Sequence, residues 1–356
     1  MEALFWISFA VIVYVYVGYP LLLAAWARLA QRTPRKATAD AAWPSVSIIV
    51  AARDEGGRLP ARIRNLLTIA YAGPRELIVV SDGSTDDTAD VVRGFGGAVT
   101  LVEVPAGGKP LALNAGVARA HGDVLVFADA RQQFSADALV HLVANFADPQ
   151  VGGVTGELVL DAEIDETDST VGDGVGLYWK YEKWLRRNES QIWSTLGATG
   201  AIYALRRELW RPLPADTLLD DVLAPMRAVL AGRRVVFEER ARAYDRTSAN
   251  AMTESRRKVR TLAGNYQILA QEPRLLLPVV NPVWLQYMSH KIGRLFVPWA
   301  LAGAFFASAV LMFDDWIYAV AFAGQALFYG LAGYGAWSEY RSRQADAYAA
   351  TAEATR

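Results

Sequence analysis

Four carboxylates and one lysine stand where a chain of alternating strands and helices would place chemistry. Asp54 and Glu55 follow the apolar run Val46-Ser47-Ile48-Ile49-Val50, Asp82 follows Leu77-Ile78-Val79-Val80, and Asp129 follows Val124 to Phe127. In α/β sheets ligands sit beyond the carboxyl ends of the strands, so these acids belong at the mouth of a nucleotide pocket. Carboxylates there can grip a base and ribose, and one of them can take a proton from a hydroxyl. Lys109, in Gly107-Gly108-Lys109-Pro110, precedes a helix, where free amides and the dipole favour an anion such as a diphosphate. Each residue alone has a plainer reading. Asp82 and Asp86 serve equally as an Asx turn or helix cap, and Lys109 as a solvated lysine in a glycine turn. Recurrence after successive strands favours the site. The lysine motif lacks the spacing and Ser/Thr of a P-loop, which argues against an ATPase.

The elements needed to hold these residues are legible in the pattern. Strands are predicted at 46–50, 76–80, 99–104 and 124–127, with helices at 59–67, 85–93 and 110–120 between them. Strand, helix, strand alternation specifies a parallel sheet with right-handed crossovers. Beyond Val151 a strand at 152–160, an aromatic and basic helix at 176–189, a strand-like segment at 197–206 and a helix at 219–230 follow. Tyr178, Trp179, Tyr181, Trp184 and Trp193 offer ring faces for a sugar, or equally a packed core.

The ordered motifs resemble the family 2 glycosyltransferases, particularly the membrane-bound branch that includes hyaluronan, chitin and cellulose synthases. The resemblance runs from about Val46 to Gln267. It is carried by Ala52-Arg53-Asp54-Glu55, Val80-Ser81-Asp82-Gly83-Ser84-Thr85-Asp86, Gly108-Lys109-Pro110-Leu111-Ala112-Leu113-Asn114, Phe127-Ala128-Asp129-Ala130, Ala198-Thr199-Gly200-Ala201, Leu219-Asp220-Asp221 and Arg256-Arg257-Lys258-Val259-Arg260. It implies a GT-A fold, an α/β catalytic domain with a Rossmann-like, mostly parallel sheet, and an inverting transfer from a UDP-sugar. Asp54, Glu55 and Asp82 would then contact the uridine, Lys109 the nucleotide, and Asp129 the ribose or a diphosphate-bound Mg²⁺ or Mn²⁺. Asp221 would be the general base with Asp220 beside it, and Gly200, Arg257 and Arg260 would lie toward the diphosphate and acceptor. The plain reading of Asp220 and Asp221 is that they open a helix whose dipole suits acids.

Two departures stand out. Asp-x-Asp is here Asp129-Ala130-Arg131, so the second acid that holds the cation is replaced by a base, and Arg131 either substitutes for metal charge or serves as an ion-pair partner. Gln-x-x-Arg-Trp is here Arg257-Lys258-Val259-Arg260-Thr261, without the ring expected to stack on an acceptor.

The 356 residues are 53% hydrophobic, and the excess is localised. No charge interrupts Leu4 to Trp26, Leu295 to Phe313 or Trp316 to Ser338. Each run approaches the ~20 residues that cross a bilayer, so one N-terminal and two C-terminal transmembrane helices are expected. The first lacks the basic start of a signal peptide and reads as an uncleaved anchor. Arg28, Arg32, Arg35 and Lys36, then His290, Lys291 and Arg294, then Arg341 and Arg343, put positive charge on one side, which makes the middle segment cytoplasmic in a bacterial inner membrane.

The expected organisation is an anchor over 1–32, a catalytic domain over 44–248, an amphipathic interfacial segment over 249–290, two spans over 291–340 and a tail over 341–356. The expected partners are a UDP-sugar donor, a glycan or polyprenyl-linked acceptor, membrane lipids and other polysaccharide-assembly subunits. A net charge of −1 argues against nucleic acid. The absence of cysteine excludes disulfides and thiolate sites, and three histidines argue against a multi-histidine metal centre. The rival readings are transfer to polyprenyl phosphate, or a nucleotide-sensing membrane subunit without turnover.

Overall fold

The computed structural model describes residues 1–38, 41–160, 170–245 and 251–354, with backbone alone for 170–177, 251–257, 336, 339 and 342–354. The chain forms two compact units, one of residues 20–291 and one of residues 1–19 with 292–356.

The larger unit is built on one eight-stranded sheet in the order β3-β2-β1-β4-β7-β6-β8-β5. The first half alternates strand and helix: β1 (Val46–Ala52), α2 (Leu59–Thr68), β2 (Arg75–Asp82), α3 (Thr88–Arg93), β3 (Thr100–Val104), α4 (Lys109–Arg119) and β4 (Val124–Asp129), preceded by the N-terminal helix α1 (Glu2–Leu29). β1 pairs in parallel with β2 and β4, and β2 with β3. Its Ile48, Ile49 and Val50 are fully buried, as a central strand covered on both faces requires. Burying each such side chain contributes about 1.5–3 kcal/mol. The register sets Ala52 beside Ser81 and Ala51 beside Asp129, so the ends of β1, β2 and β4 emerge together.

The second half departs from simple alternation. β5 (Gln133–Phe134), α5 (Ala138–Ala144), β6 (Val151–Leu160), α6 (Thr170–Ile192), β7 (Ile202–Arg206), α7 (Asp220–Leu230) and β8 (Arg234–Asp245) follow. β7 runs antiparallel to both β4 and β6, and β8 runs parallel to β6, so the sheet is mixed rather than parallel throughout. The sequence reading contained neither β8 nor α5. In β8 the apolar pattern is broken by Glu238-Glu239-Arg240, yet Glu238 is buried, held by Lys36, Arg240 and Asn145. The segment after α1 is fastened to this half: Ala37 N–H donates to Ala144 O and Arg35 N–H to Asp148. α3 starts at Thr88 rather than Thr85, because Asp86 accepts hydrogen bonds from the Thr88 amide and hydroxyl and from Gly56 N–H.

After β8 come α8 (Ala251–Gln271), α9 (Trp284–Leu311) and α10 (Trp316–Ala354). Among the described residues three helical stretches are long and apolar enough to cross a membrane: Glu2–Leu29, Trp284–Leu311 and Trp316–Gly335. The second begins at Trp284, before the uncharged run at Leu295, because the helix continues through His290, Lys291 and Arg294. In the smaller unit Phe5, Ala307, Leu311 and Tyr318 pack together, with the Phe5 and Tyr318 rings edge to face at 5.0 Å. Around them Ile7, Phe296, Trp299, Leu327 and Phe328 are exposed, an apolar surface of the kind that lipid covers.

Candidate functional site

The loops beyond β1 and β2 hold each other. Asp54 adopts φ +52°, uncommon for a residue with a side chain, and its carboxylate accepts hydrogen bonds from the Thr85 amide at 2.7 Å and hydroxyl at 3.2 Å. Glu55 pairs with Arg58 at 3.2 Å. Asp82 is buried, and its carboxylate accepts from Gly107 N–H at 2.7 Å and Gly108 N–H at 3.0 Å. In the structure Asp82 therefore fixes the glycine turn that delivers Lys109.

Lys109 opens α4 and reaches into a carboxylate cluster. Its Nζ lies 2.9 Å from Asp129 Oδ1 and 3.3 Å from Asp220 Oδ2. Asp221 Oδ2 accepts from Gly200 N–H at 2.9 Å. Gly200 stands where the groups meet: a Cβ there would lie 3.3 Å from Asp221 Oδ2 and 3.4 Å from Lys109 Nζ, closer than most side chains approach. Burial opposes the charge on Lys109, but Asp220, Asp129 and Asp221 together overcome it and hold the ammonium protonated far above neutral pH. Burial pushes the Asp221 carboxyl up to about 6; Asp220 adds to the rise, while Lys109 and the Gly200 amide oppose it. A carboxylate poised there can accept a proton near neutral pH.

Comparison with known proteins covers part of this arrangement, Lys109, Asp129 and Gly200 but not Asp220 and Asp221. Residues 47–211 match the model of Glycosyl transferase family 2. They form a family 2 glycosyltransferase domain. A probable glycosyltransferase, YdaM, of Bacillus subtilis is 24% identical over 239 residues, covering 64% of this chain and 56% of that protein. A poly-beta-1,6-N-acetyl-D-glucosamine synthase of Staphylococcus aureus is 22% identical over 238 residues, with the same two shares. The chain thus spans little more than half the length of these relatives. A mannosyltransferase from Pyrobaculum calidifontis, solved with GDP-Man and Mn²⁺, superposes with a TM-score of 0.72 at 24% identity over 94% of both chains, and carries the same fold.

Further residues shape the candidate site, Arg131 singled out by the sequence and Arg62 and Tyr203 not. Arg131 pairs with buried Asp245 at the end of β8, and Gln132 Nε2 donates to the same carboxylate at 2.9 Å. Of the two readings of Arg131, the structure gives the ion pair. Arg62 is buried on α2, stacks over Phe134 at 4.2 Å, and donates from Nε to Asp129 O at 3.0 Å. Burial brings its guanidinium down to about 9 against the pull of Asp129. Its hint was an arginine within the apolar stripe Leu59, Ile63, Leu66. Tyr203 of β7 is buried with its ring stacked on Phe127 at 4.6 Å.

Helix α8 docks on the loop that leads to Asp220. Arg260 donates to Leu218 O at 2.9 Å, Gln267 accepts from Leu218 N–H at 2.8 Å, and Gly264 lies so close that a Cβ would be 2.5 Å from Leu219 Cγ. Arg257 belongs to the same helix, but its side chain lies outside the described residues. Among the aromatics, Trp179 donates to Leu158 O, Trp193 is flanked by Arg32 and Arg234, and Tyr181 stacks on exposed Trp184.

Proposed function

We propose that the protein transfers a sugar, with inversion, from a nucleoside diphosphate donor to an acceptor hydroxyl at a membrane. The observation that carries this reading is the meeting of Lys109 with Asp129, Asp220 and Asp221 beyond the carboxyl end of β4. Asp221 takes the proton of the acceptor hydroxyl as the oxygen bonds to the anomeric carbon. The bond to the diphosphate breaks on the opposite face, and Lys109 carries part of the charge that leaves with it. Arg260, and Arg257 on the same helix, would serve the diphosphate and acceptor, with Gly200 leaving room against Asp221. Asp54 and Glu55 line the nucleoside end. Asp82 acts there too, through the turn it binds.

The donor we assign is a UDP-sugar, and the acceptor a growing polysaccharide or lipid-linked glycan. The staphylococcal relative, a poly-beta-1,6-N-acetyl-D-glucosamine synthase, supports the glycan acceptor, and the GDP-Man bound by the Pyrobaculum neighbour supports a nucleoside diphosphate sugar as the donor class. A divalent ion fits this donor set. A hard cation takes oxygen ligands and is commonly held by one or two carboxylates plus substrate phosphates. Asp129 supplies such a carboxylate, while Arg131 is engaged by Asp245. Among the described residues no group of three or more His, Cys, Asp or Glu would hold an ion alone, so most ligands would come from the donor. When bound, the ion offsets the charge that develops on the diphosphate. The basic residues flanking the three apolar helices support a bacterial inner membrane, with the transferase unit on the cytoplasmic side.

The test is nucleotide release by the detergent-purified protein over a panel of UDP- and GDP-sugars, with and without Mn²⁺ or Mg²⁺, with Asp221→Asn as control. Release from one donor that the variant loses is the expected result. A lipid-extractable product made only with polyprenyl phosphate would reassign the acceptor. UDP binding without release from any donor, with acceptors supplied, would refute the transferase reading.

A further inference from the structure

Tyr203 and Asp129 share one face of the sheet. Phe127 pairs with Tyr203 across β4 and β7, and Asp129 lies two residues beyond Phe127 on the same side. The Tyr203 side chain is 1% exposed, and its hydroxyl has no hydrogen-bond partner among the described residues. Asp220 Oδ2 is likewise buried without a hydrogen bond among the described residues, and pairs with Lys109 Nζ at 3.3 Å. A buried hydroxyl without a partner costs stability, and a phenylalanine would fill the same stack without that cost. Burial, then Asp220, Asp221 and Asp129, hold the phenol protonated, so it can only donate among these groups.

We infer that Tyr203 is a positioning residue of the acid cluster, whose hydroxyl donates to Asp220 when a nucleoside diphosphate draws Lys109 away from it. The lysine cannot neutralise Asp129, Asp220 and a diphosphate at full strength together. Once it turns to phosphate, Asp220 loses its ion-pair partner beside Asp221, and the phenol, which lies within the field of Asp220, is a neutral donor able to compensate. This rests on the reading that the site takes a nucleoside diphosphate.

The test is calorimetric titration of the full-length, detergent-purified protein with UDP and with GDP, beside thermal unfolding without nucleotide. Tyr203→Phe should bind the preferred diphosphate roughly tenfold or more weakly, as expected for one hydrogen bond to a charged group. Its melting temperature without nucleotide should be unchanged or higher. In an Asp220→Asn background the same change should cost no further affinity. Affinity within twofold of the parent, a lower melting temperature without nucleotide, or additive losses in the double variant would each overturn the inference. Binding with this pattern but no sugar transfer would leave it standing and remove the proposed function. A parent that binds neither diphosphate removes both.

Discussion

Asp221→Asn separates what a carboxylate does for the reaction from what it does to the fold. A carboxyl moved from its ordinary 3.8 to about 6 carries about 3 kcal/mol at 1.36 kcal/mol per pH unit. The sign follows from proton binding. The folded protein holds this proton more tightly than the unfolded chain, so ionising Asp221 costs stability. The cost is fully present above pH 6, falls as the pH drops through 6, and is gone below about 3.8. Asparagine keeps an oxygen for the Gly200 amide, 2.9 Å away, and introduces no charge beside Asp220. The variant should therefore unfold later than the parent at pH 8, by no more than about 3 kcal/mol, and the gap should shrink toward pH 5. Turnover should be nearly abolished. In the parent, a base with a pKa of about 6 is roughly 90% ionised at pH 7 and 10% at pH 5, so kcat/KM should fall about tenfold across that interval. Thermal unfolding at four pH values, read beside nucleotide release, measures both. A variant that keeps its turnover, or a stability difference that does not change between pH 5 and 8, would refute this account of Asp221.

Other substitutions probe the surrounding contacts. Lys109→Met removes the cation that holds the Asp221 carboxyl down, so the acid limb of kcat/KM should move to higher pH and affinity for the nucleoside diphosphate should fall at least tenfold, by pH profile and titration. Arg131→Gln leaves Asp245 buried with Gln132 as its side-chain partner among the described residues. About 1–2 kcal/mol of stability should go, discounted because the guanidinium is partly exposed, while the metal concentration needed for half-maximal activity stays the same. Gly264→Val drives a side chain into Leu219 and should lower kcat several-fold through the displaced loop before Asp220, with little effect on UDP affinity measured by calorimetry.

The sequence by itself determined the elements whose local pattern is self-sufficient. The runs before Asp54, Asp82 and Asp129 are apolar throughout because a doubly covered parallel strand must be, and the β/α alternation then dictates that their ends emerge on one edge. Lys109 was legible because its glycine turn and following helix are local features, and the three apolar runs because a bilayer sets their length. Only the tertiary structure decided what charge balance the acids have. Asp220 and Asp221 lie far from Lys109 in the chain, and their pairing depends on β7 turning antiparallel to β4 and bringing Gly200 between them. Arg131 found Asp245 across a strand whose acidic pattern hid it, and Arg62 and Tyr203 sit in stripes that look like ordinary core. A side chain's type and spacing reveal which face it occupies, whereas its partners come from contacts distant in sequence. Those contacts set the local dielectric and neighbouring charge, and through them the proton affinity of Asp221.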